Sequence, residues 1–170
     1  KPYITADYAS HNGMNGDNIN DIYVDGGDRI WLANYPAGVT IRNNRYQSYE
    51  WFRHSPGNSR SLVNDQVHDV IEDSEGDLWF ATSNGISLLQ PAVGRWRSFL
   101  SRSDGIQDGG NHIFLTLCEV SPGVICAGGY ASGLYRIEKK TGRVEYFPPS
   151  FAAEGRPDQY IRSEEHTSEL

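Results

Sequence analysis

The sequence has few basic residues, a single methionine and no long hydrophobic run. Only 15 Lys and Arg stand against 22 Asp and Glu, which gives a net charge of −7. A nucleic-acid-binding domain needs a basic surface to displace counterions, so the charge excludes that class and predicts no direct contact with nucleic acid. No apolar run approaches the roughly 18 residues that a membrane-spanning helix requires.

The composition is that of a folded β protein. The 170 residues are enough for one domain with its own core, and 38% of them are hydrophobic against 22% charged. Such a balance predicts a globular chain, not a disordered one. The 18 Gly and 10 Tyr beside one Met favour a turn-rich β fold.

An internal repeat of 46 to 48 residues organises the chain. The segment DNINDIYVDGGDRIWLANYPAGVTI, from Asp17, aligns with DQVHDVIEDSEGDLWFATSNGISLL, from Asp65. A third copy, NHIFLTLCEVSPGVICAGGYASGLYRI, begins at Asn111. The alignment equates Ile19, Val67 and Ile113; Trp31, Trp79 and Ile125; Ala33, Ala81 and Ala127; and Gly38, Gly85 and Gly133.

Each copy has the pattern of four short strands. In the middle copy these are Val67–Glu72, Leu78–Thr82, Ile86–Leu89 and Trp96–Leu100. Alternating β-branched and aromatic residues, separated by Gly, Pro, Asn and Asp, are typical of half-buried strands and turns. Four strands repeated at this spacing indicate an all-β fold, a partial β-propeller of about three four-stranded antiparallel blades, open because it is a fragment of a larger propeller.

The repeat predicts the boundaries of the units. We expect residues 16–63, 64–110 and 111–159 to form three blades, after the end of a preceding blade in residues 1–15. A further blade would begin at residues 160–161. The last segment, RSEEHTSEL at residues 162–170, resembles the translation of a sequencing-adapter oligonucleotide and is interpreted as an artefact tail.

The acidic stretch EDSEGD, from Glu72, lies between the first and second predicted strands of its copy. The sister copies have VDGGDR and EVSPGV there, so the third copy keeps the turn and loses nearly all the acids. A calcium loop would need a bidentate acid about a dozen positions after its first ligand, where Asn84 and Gly85 stand instead. The pattern therefore favours a hairpin turn over a metal site.

The two cysteines, Cys118 and Cys126, flank the turn of the third copy. A turn centred on Pro122 places them opposite each other on neighbouring strands. A disulfide is one interpretation, which an oxidising compartment would permit. The interpretation we favour is two buried thiols that replace Ile71 and Phe80 of the middle copy.

The segment LVNDQVHDVIEDSEGDLWFATSNGISLL, from Leu62, resembles the two-component-regulator propeller repeat. The shared features are an N-x-I/V opening, an acidic D-x-x-G turn, an L-W-I/F-x-T strand and a following G-[LI]. Two further segments are similar to blades of this repeat: SRSLVND, from Ser59, and SGLYRIEKKTGRVEYF in the third copy. The resemblance therefore covers nearly everything from Asp17 to Phe147. The third copy departs from it, with Ile125 and Gly128 in place of the Trp and Thr of DLWFATS.

This resemblance implies the periplasmic sensor region of a hybrid two-component system of Bacteroidetes, anchored in the inner membrane. It implies a non-catalytic sensor that binds an oligosaccharide and signals to a histidine kinase in polysaccharide-utilisation regulation. Neighbouring blades and a second copy in a homodimer are the implied protein partners, and no cofactor is expected. The alternatives are a propeller glycosidase or lyase fragment and a protein-interaction propeller.

The candidate ligand-binding residues lie in loops that open on one face of a propeller. Aromatic rings stack on sugars, and cationic side chains bind a carboxylate or sulfate. Exposed loop residues of these types are also common without a ligand, and a Trp here can simply pack between blades. The candidates are Tyr35, Trp51, Arg53, His54, Arg60, Asn84 and Tyr130.

No catalytic constellation is predicted. His68 precedes Asp69 on a strand, where neighbouring side chains point to opposite faces. Ser83 near a His would suggest a nucleophile, but TSNGI has no strand-to-helix elbow. The Gly pairs at 109–110 and 128–129 have no following helix to hold a phosphate, and no metal ligand set is predicted.

Overall fold

The computed structural model describes residues 13–46, 48–102 and 112–149. Within these ranges the chain forms twelve β-strands. No helix in this part of the chain could cross a membrane. The strands are β1 Ile19–Val24, β2 Arg29–Asn34, β3 Gly38–Asn43, β4 Ser48–Phe52, β5 Val67–Glu72, β6 Leu78–Thr82, β7 Gly85–Gln90, β8 Arg95–Phe99, β9 Phe114–Ser121, β10 Val124–Gly129, β11 Gly133–Glu138 and β12 Val144–Phe147.

Every four successive strands form one antiparallel sheet in chain order, named here blade 1 (β1–β4), blade 2 (β5–β8) and blade 3 (β9–β12). The first strand β5 contacts the first strands β1 and β9 of its two neighbours, and each fourth strand is an outer edge. This arrangement confirms the predicted partial β-propeller of three four-stranded blades. Each sheet falls within one predicted blade range, and the exact boundaries stay predictions.

Several predicted features lie outside the described residues. They are most of the preceding blade's end (residues 1–12), the greater part of the loop after β8 (103–111), the start of a further blade (160–161) and the tail (162–170).

Two hydrophobic clusters join the blades face to face. One contains Trp31 and Val39 from blade 1 with Val70 and Phe80 from blade 2. The other joins residues of blades 2 and 3, with Trp79 at its centre. Each buried side chain of this size contributes roughly 1.5 to 3 kcal/mol, so the stack of blades is the core of the molecule.

The predicted burial and equivalence of Trp31 and Trp79 are confirmed, since their exposures are 2% and 0%. The indole N–H of Trp31 donates to Asp25 Oδ2 at 2.9 Å, and that of Trp79 donates to Asp73 Oδ2 at 2.8 Å. Each Asp also accepts backbone N–H groups of its own turn through Oδ1. In both blades, therefore, one carboxylate ties the first turn to the Trp of the second strand. We call this the Asp–Trp brace.

The predicted alignment of the third copy is wrong by one residue. Val67 pairs with Thr82, whereas Phe114 pairs with Gly129. Phe114 is therefore the counterpart of Val67, and Cys126, not Ile125, is the counterpart of Trp79. The second strand of blade 3 has no Trp to mark the register, so the alignment placed the apolar Ile125 on Trp79, one residue too early.

The interpretation of Cys118 and Cys126 as buried thiols is also wrong. They pair across β9 and β10 as predicted, and both are free, but Cys118 is exposed and Cys126 is only half-buried. Cys118 takes the place of Ile71 as expected, whereas Cys126 takes that of Trp79 and not that of Phe80. The one-residue shift puts Cys126 on the opposite face of its strand, away from blade 2.

The acidic stretch is confirmed as a turn, since Asp73 N donates to Asp77 O and Gly76 N to Asp73 O. Its carboxylates surround Lys139 of blade 3, whose Nζ lies 2.6 Å from Asp73, 2.8 Å from Glu75 and 2.8 Å from Asp77. Burial alone would lower the pKa of Lys139, but these three partners raise it. The turn thus holds a buried ammonium group from the next blade.

A second contact between blades joins the first strands. Asp21 Oδ2 accepts the N–H of Val70 at 3.0 Å, and Asp69 Oδ2 accepts the N–H of Leu117 at 2.6 Å. Burial raises the pKa of Asp69 most; the Leu117 amide opposes the rise and the Asp21 carboxyl adds to it, so that the pKa is about 7. Sequence reasoning gave these two acids no role.

Candidate functional site

Tyr35, Asn84 and Tyr130 lie in the loops between second and third strands, at one end of the three sheets. The segment that leaves β4 begins at the same end and contains Arg53, His54 and Arg60. The backbone N–H groups of Tyr35, Ser83 and Tyr130 each donate to the carbonyl just before the first strand of their blade. These three residues are therefore equivalent in the repeat, and Asn84 lies one position later.

Tyr35 packs against His68 of the next blade, with ring centroids 5.7 Å apart. His68 Nε2 lies 2.8 Å from Ser83 Oγ, and its Nδ1 lies 3.5 Å from the Asn20 amide nitrogen. Because the amide is a donor, Nδ1 is the acceptor and Nε2 carries the proton, so Nε2 donates to Ser83. Burial lowers the pKa of His68. A neutral His in this tautomer cannot take a proton from Ser83, so the pair does not activate a nucleophile. His68 instead contacts blade 1 through Tyr35 and Asn20.

Of the other candidates, Trp51 was predicted in a loop but lies within strand β4. The indole N–H of Trp51 donates to the Gly13 carbonyl at 3.0 Å, which fits the interpretation that it packs against neighbouring chain. Asn84 Oδ1 accepts the N–H of Arg102 at 3.3 Å. Tyr130 is 37% exposed in the equivalent loop of blade 3.

A cleft of about 410 Å³ lies where the segment after β4 faces the outer strand of blade 2. His54 and Trp96 line it from the two sides. The other lining residues are Ser55, Gly57, Asn58, Ser59, Ser61, Leu62, Val63, Arg97 and Ser98. Hydroxyl, amide and imidazole groups therefore face the Trp96 indole across one opening, which we call the rim cleft.

The wall of the rim cleft is held by internal hydrogen bonds. His54 Nδ1 donates to the Leu62 carbonyl at 2.8 Å, which leaves Nε2 as its acceptor. The His54 N–H donates to Asp65 Oδ1, and Ser61 Oγ donates to the Asn58 carbonyl at 2.9 Å. The opposite wall is fixed by Trp96, which packs on Phe80 with ring centroids 5.9 Å apart. Both walls are thus positioned before any ligand arrives.

Positive charge lies beside this cleft. Arg60 and Arg95 line an adjoining groove of about 390 Å³ that shares Trp96 and Ser59 with it. Arg97 NH1 donates to the Lys139 carbonyl at 2.8 Å, and its guanidinium lies 4.9 Å from the Phe99 ring centre. Of the cationic candidates, His54 lines the cleft and Arg60 lines the adjoining groove, whereas Arg53 lines neither of these two openings. Guanidinium groups in such a position suit a carboxylate or sulfate.

Sequence reasoning missed Trp96, Arg97 and Arg95, which complete the site. They stand in the run RWRSF, which forms the edge strand β8. An outermost strand with alternating cationic and aromatic residues was the available signal. That signal could be interpreted only once the fold was known, because the facing wall comes from the segment after β4, more than thirty positions earlier in the chain.

Three antiparallel four-stranded meanders stacked through their first strands define a repeat protein of the β-propeller class. Residues 61–84, which include β5 and β6, match the two-component regulator propeller family. The resemblance seen in the sequence is therefore confirmed over residues 61–84. A comparison with curated proteins finds no match.

Solved structures show the same fold. The extracellular domain of the hybrid two-component system BT3049 from B. thetaiotaomicron is similar with a TM-score of 0.74 and 23% identity, over 85% of this chain and 20% of that one. The extracellular domain of BT4673 from the same organism is similar with a TM-score of 0.63 and 21% identity, over 84% of this chain and 18% of that one. PorZ, a surface component of the type-IX secretion system of Porphyromonas gingivalis, has a TM-score of 0.61 and 13% identity, over 88% of this chain and 23% of that one. The chain thus spans about a fifth of the length of these relatives.

Proposed function

We propose that this chain is part of an extracytoplasmic sensor propeller that binds an oligosaccharide and signals to a histidine kinase. The observation that carries the proposal is the rim cleft on a propeller with a two-component-regulator repeat. The fold shared with extracellular domains of hybrid two-component systems supports the sensor role and the extracytoplasmic location. In the parent protein, we expect a membrane anchor and a homodimer to carry the signal.

The chemistry of the cleft favours binding a sugar. The indole of Trp96 offers an apolar face to a pyranose ring, while Ser, Asn and His side chains exchange hydrogen bonds with hydroxyl groups. The cations at Arg60 and Arg95, which line the adjoining groove, favour an acidic or sulfated member of the class. A signal then requires that the ligand bind two arrangements of the sensor with different affinity.

The geometry argues against a glycosidase at this cleft. A glycosidase needs two carboxyl groups beside the scissile bond, and the described lining residues include no Asp or Glu. The closely paired acids Asp21 and Asp69 lie elsewhere, with oxygens that accept backbone N–H groups of the next blade. Their arrangement explains contact between blades.

The test is calorimetric titration of the chain with neutral, uronic-acid-containing and sulfated oligosaccharides, with product analysis of each mixture. We expect one acidic or sulfated class to bind without cleavage. Arg60→Ala should weaken that binding by about 1 to 2 kcal/mol, and Ser98→Trp, which fills the cleft, should abolish it. Arg45→Ala, at an exposed cation in the β3–β4 turn of blade 1 that lines neither the rim cleft nor the adjoining groove, is the matched control and should change nothing.

Binding that survives both cleft variants would contradict the assignment of the rim cleft. Cleaved sugar that disappears when one acidic residue is replaced would move the protein to the enzyme class. Specific capture of a protein in place of any sugar would favour the protein-interaction alternative, the role that a surface component such as PorZ suggests.

A further inference from the structure

The first hairpin of blade 3 has lost both members of the Asp–Trp brace. Glu72 pairs with Leu78 in blade 2, and Glu119 pairs with Ile125 in blade 3. Val120 follows Glu119 as Asp73 follows Glu72, so Val120 is the counterpart of Asp73. By the same count, Cys126 is the counterpart of Trp79. Val120 is 55% exposed, so no side chain of the turn reaches back to the second strand in the way that Asp73 does.

The same hairpin has a second thiol directly across the strand. Cys118 and Cys126 are register partners on β9 and β10. Side chains of directly opposed residues lie on one face, with Cα atoms about 4.5 to 5.5 Å apart. That separation is within the roughly 4.4 to 6.8 Å that a disulfide spans. In the described residues both thiols are free, and Cys118 is exposed.

We infer that Cys118 and Cys126 are a redox pair that closes a cross-strand disulfide, the covalent counterpart of the brace in the other two blades. The bond would join the strands at the position where Trp79 and its neighbour Ile71 join them in blade 2. It would close a short loop that contains the whole turn, and so restrict the unfolded hairpin.

The oxidant is a disulfide donor, such as a dithiol oxidase of the extracytoplasmic compartment or oxidised glutathione in the test. The thiolate of exposed Cys118 attacks one donor sulfur, which breaks the donor's S–S bond and releases one thiolate. The thiolate of Cys126 then attacks Cys118 Sγ and releases the second. Two electrons pass to the donor, and the two protons of the cysteines go to the two released thiolates.

The electrostatics of the pair agree with this order of attack. Burial and the nearby Cys118 raise the pKa of Cys126, while the charge of Arg136, its partner on β11, lowers it. Cys126 is the more sheltered thiol and resolves the mixed disulfide. Cys118, exposed on the innermost strand, is the thiol that meets the oxidant.

The test is a redox titration of the 170-residue chain with mixtures of reduced and oxidised glutathione, in native buffer and in urea. Each sample is quenched with acid and alkylated, and the adducts are counted by mass spectrometry. In native buffer the chain should pass in one step from two alkylated thiols to none, with the loss of two hydrogen atoms. Because the folded register holds the thiols together, half-oxidation should need at least about tenfold less oxidant in native buffer than in urea.

The single variants Cys118→Ser and Cys126→Ser are the matched controls, and each should stop at one glutathione adduct. Near-ultraviolet circular dichroism in the same native buffer should show a folded chain in both redox states. Three results would overturn the inference: thiols that stay reduced, a native chain that ends with two glutathione adducts, or equal oxidation in native buffer and urea.

Discussion

Blades 2 and 3 have the same strand order but different first hairpins. In blade 2 the Asp73 carboxylate binds two backbone N–H groups of its turn, the Trp79 indole and the Lys139 ammonium. In blade 3 the equivalent positions hold an exposed Val and a half-buried Cys. Yet both hairpins keep the same antiparallel pairing and a Gly at positive φ in the turn. The backbone of a blade therefore does not depend on the brace.

The difference shows that the brace acts as a unit. Trp79 is fully buried, and its indole N–H would lose water without a partner, at a cost of about 1 to 3 kcal/mol. Asp73 supplies that partner, so one residue of the pair is of little use alone. Blade 1, with Asp25 and Trp31, retains both, and blade 3 retains neither.

The largest expected effect distinguishes the two hairpins at one position. Trp79→Ala should lower the free energy of unfolding by about 4 to 5 kcal/mol, because it opens a cavity between blades 2 and 3 and leaves Asp73 without the indole. Cys126→Ala, at the equivalent position, should cost about 1 kcal/mol or less. Urea denaturation followed by circular dichroism measures both under reducing conditions. Equal losses would mean that the two positions are packed alike and that the corrected alignment is wrong.

A smaller effect distinguishes the acidic turns of blades 1 and 2. Lys139→Met should cost about 3 kcal/mol, because it leaves the buried Asp73 carboxylate without its ammonium partner. Arg29→Met is the matched control, since Arg29 binds Asp25 but is 43% exposed, and should cost less than about 1 kcal/mol. Denaturant midpoints of the two variants give the comparison.

The pH dependence of this effect has a definite sign. Burial opposes ionisation of Asp73, but Lys139 and Trp79 lower its pKa below the ordinary value of 3.8. The stabilisation is therefore present above pH 3.8 and is lost as the pH falls through the lowered value. The acid loss should be smaller in Lys139→Met than in the parent chain, and an unchanged acid profile would contradict the ion pair.

The smallest expected effect concerns the first strands, where blades 1 and 2 have Asp21 and Asp69 and blade 3 has Thr116. The raised pKa of Asp69, about 7, means that the folded chain binds a proton that the unfolded chain has released. The contribution of Asp69 to the free energy of unfolding is therefore fully present below about pH 3.8 and is lost as the pH rises to about 7. Asp69→Asn keeps an acceptor for Leu117 N–H and does not ionise. Its free energy of unfolding, relative to that of the parent, should therefore be greater at pH 8 than at pH 4 by on the order of 1 to 2 kcal/mol.

Melting temperatures of the parent and Asp69→Asn across that pH range test this. Asp65→Asn is the control, since Asp65 lies in the segment before the same strand. If the melting temperatures of the parent and of Asp69→Asn change by the same amount between pH 4 and pH 7, Asp69 ionises normally and the account is contradicted.

The repeat itself could be read from the sequence because Trp31 and Trp79 recur with the same turn and strand around them. The register of blade 3 could not, because its second strand has no Trp and the apolar Ile125 was aligned with Trp79, one residue too early. In a strand with a period of two, that error exchanges the faces, and so Cys126 was predicted to face the wrong side. The turn of EDSEGD was predictable from its Gly and Asp residues, but its buried Lys139 partner comes from another blade.

The site was predictable only on one of its sides. His54 and Arg60 stand in a polar loop, where cations in an acidic chain are conspicuous. Trp96 and Arg97 have the pattern of ordinary strand residues, and only the fold brings β8 against the segment after β4. Distant segments that meet across a blade edge leave no spacing signal in one sequence.

The central claim is that Asp73 acts through the indole of Trp79, and a double-mutant cycle tests it most directly. The cycle uses Asp73→Ala, Trp79→Phe and the double variant, with free energies of unfolding from urea denaturation. Phe keeps most of the ring and removes only the N–H donor. We expect a coupling energy of about 1 to 3 kcal/mol, with the double variant less destabilised than the sum of the two single variants. Additive losses, within about 0.5 kcal/mol, would show that the two side chains act independently and would contradict the account.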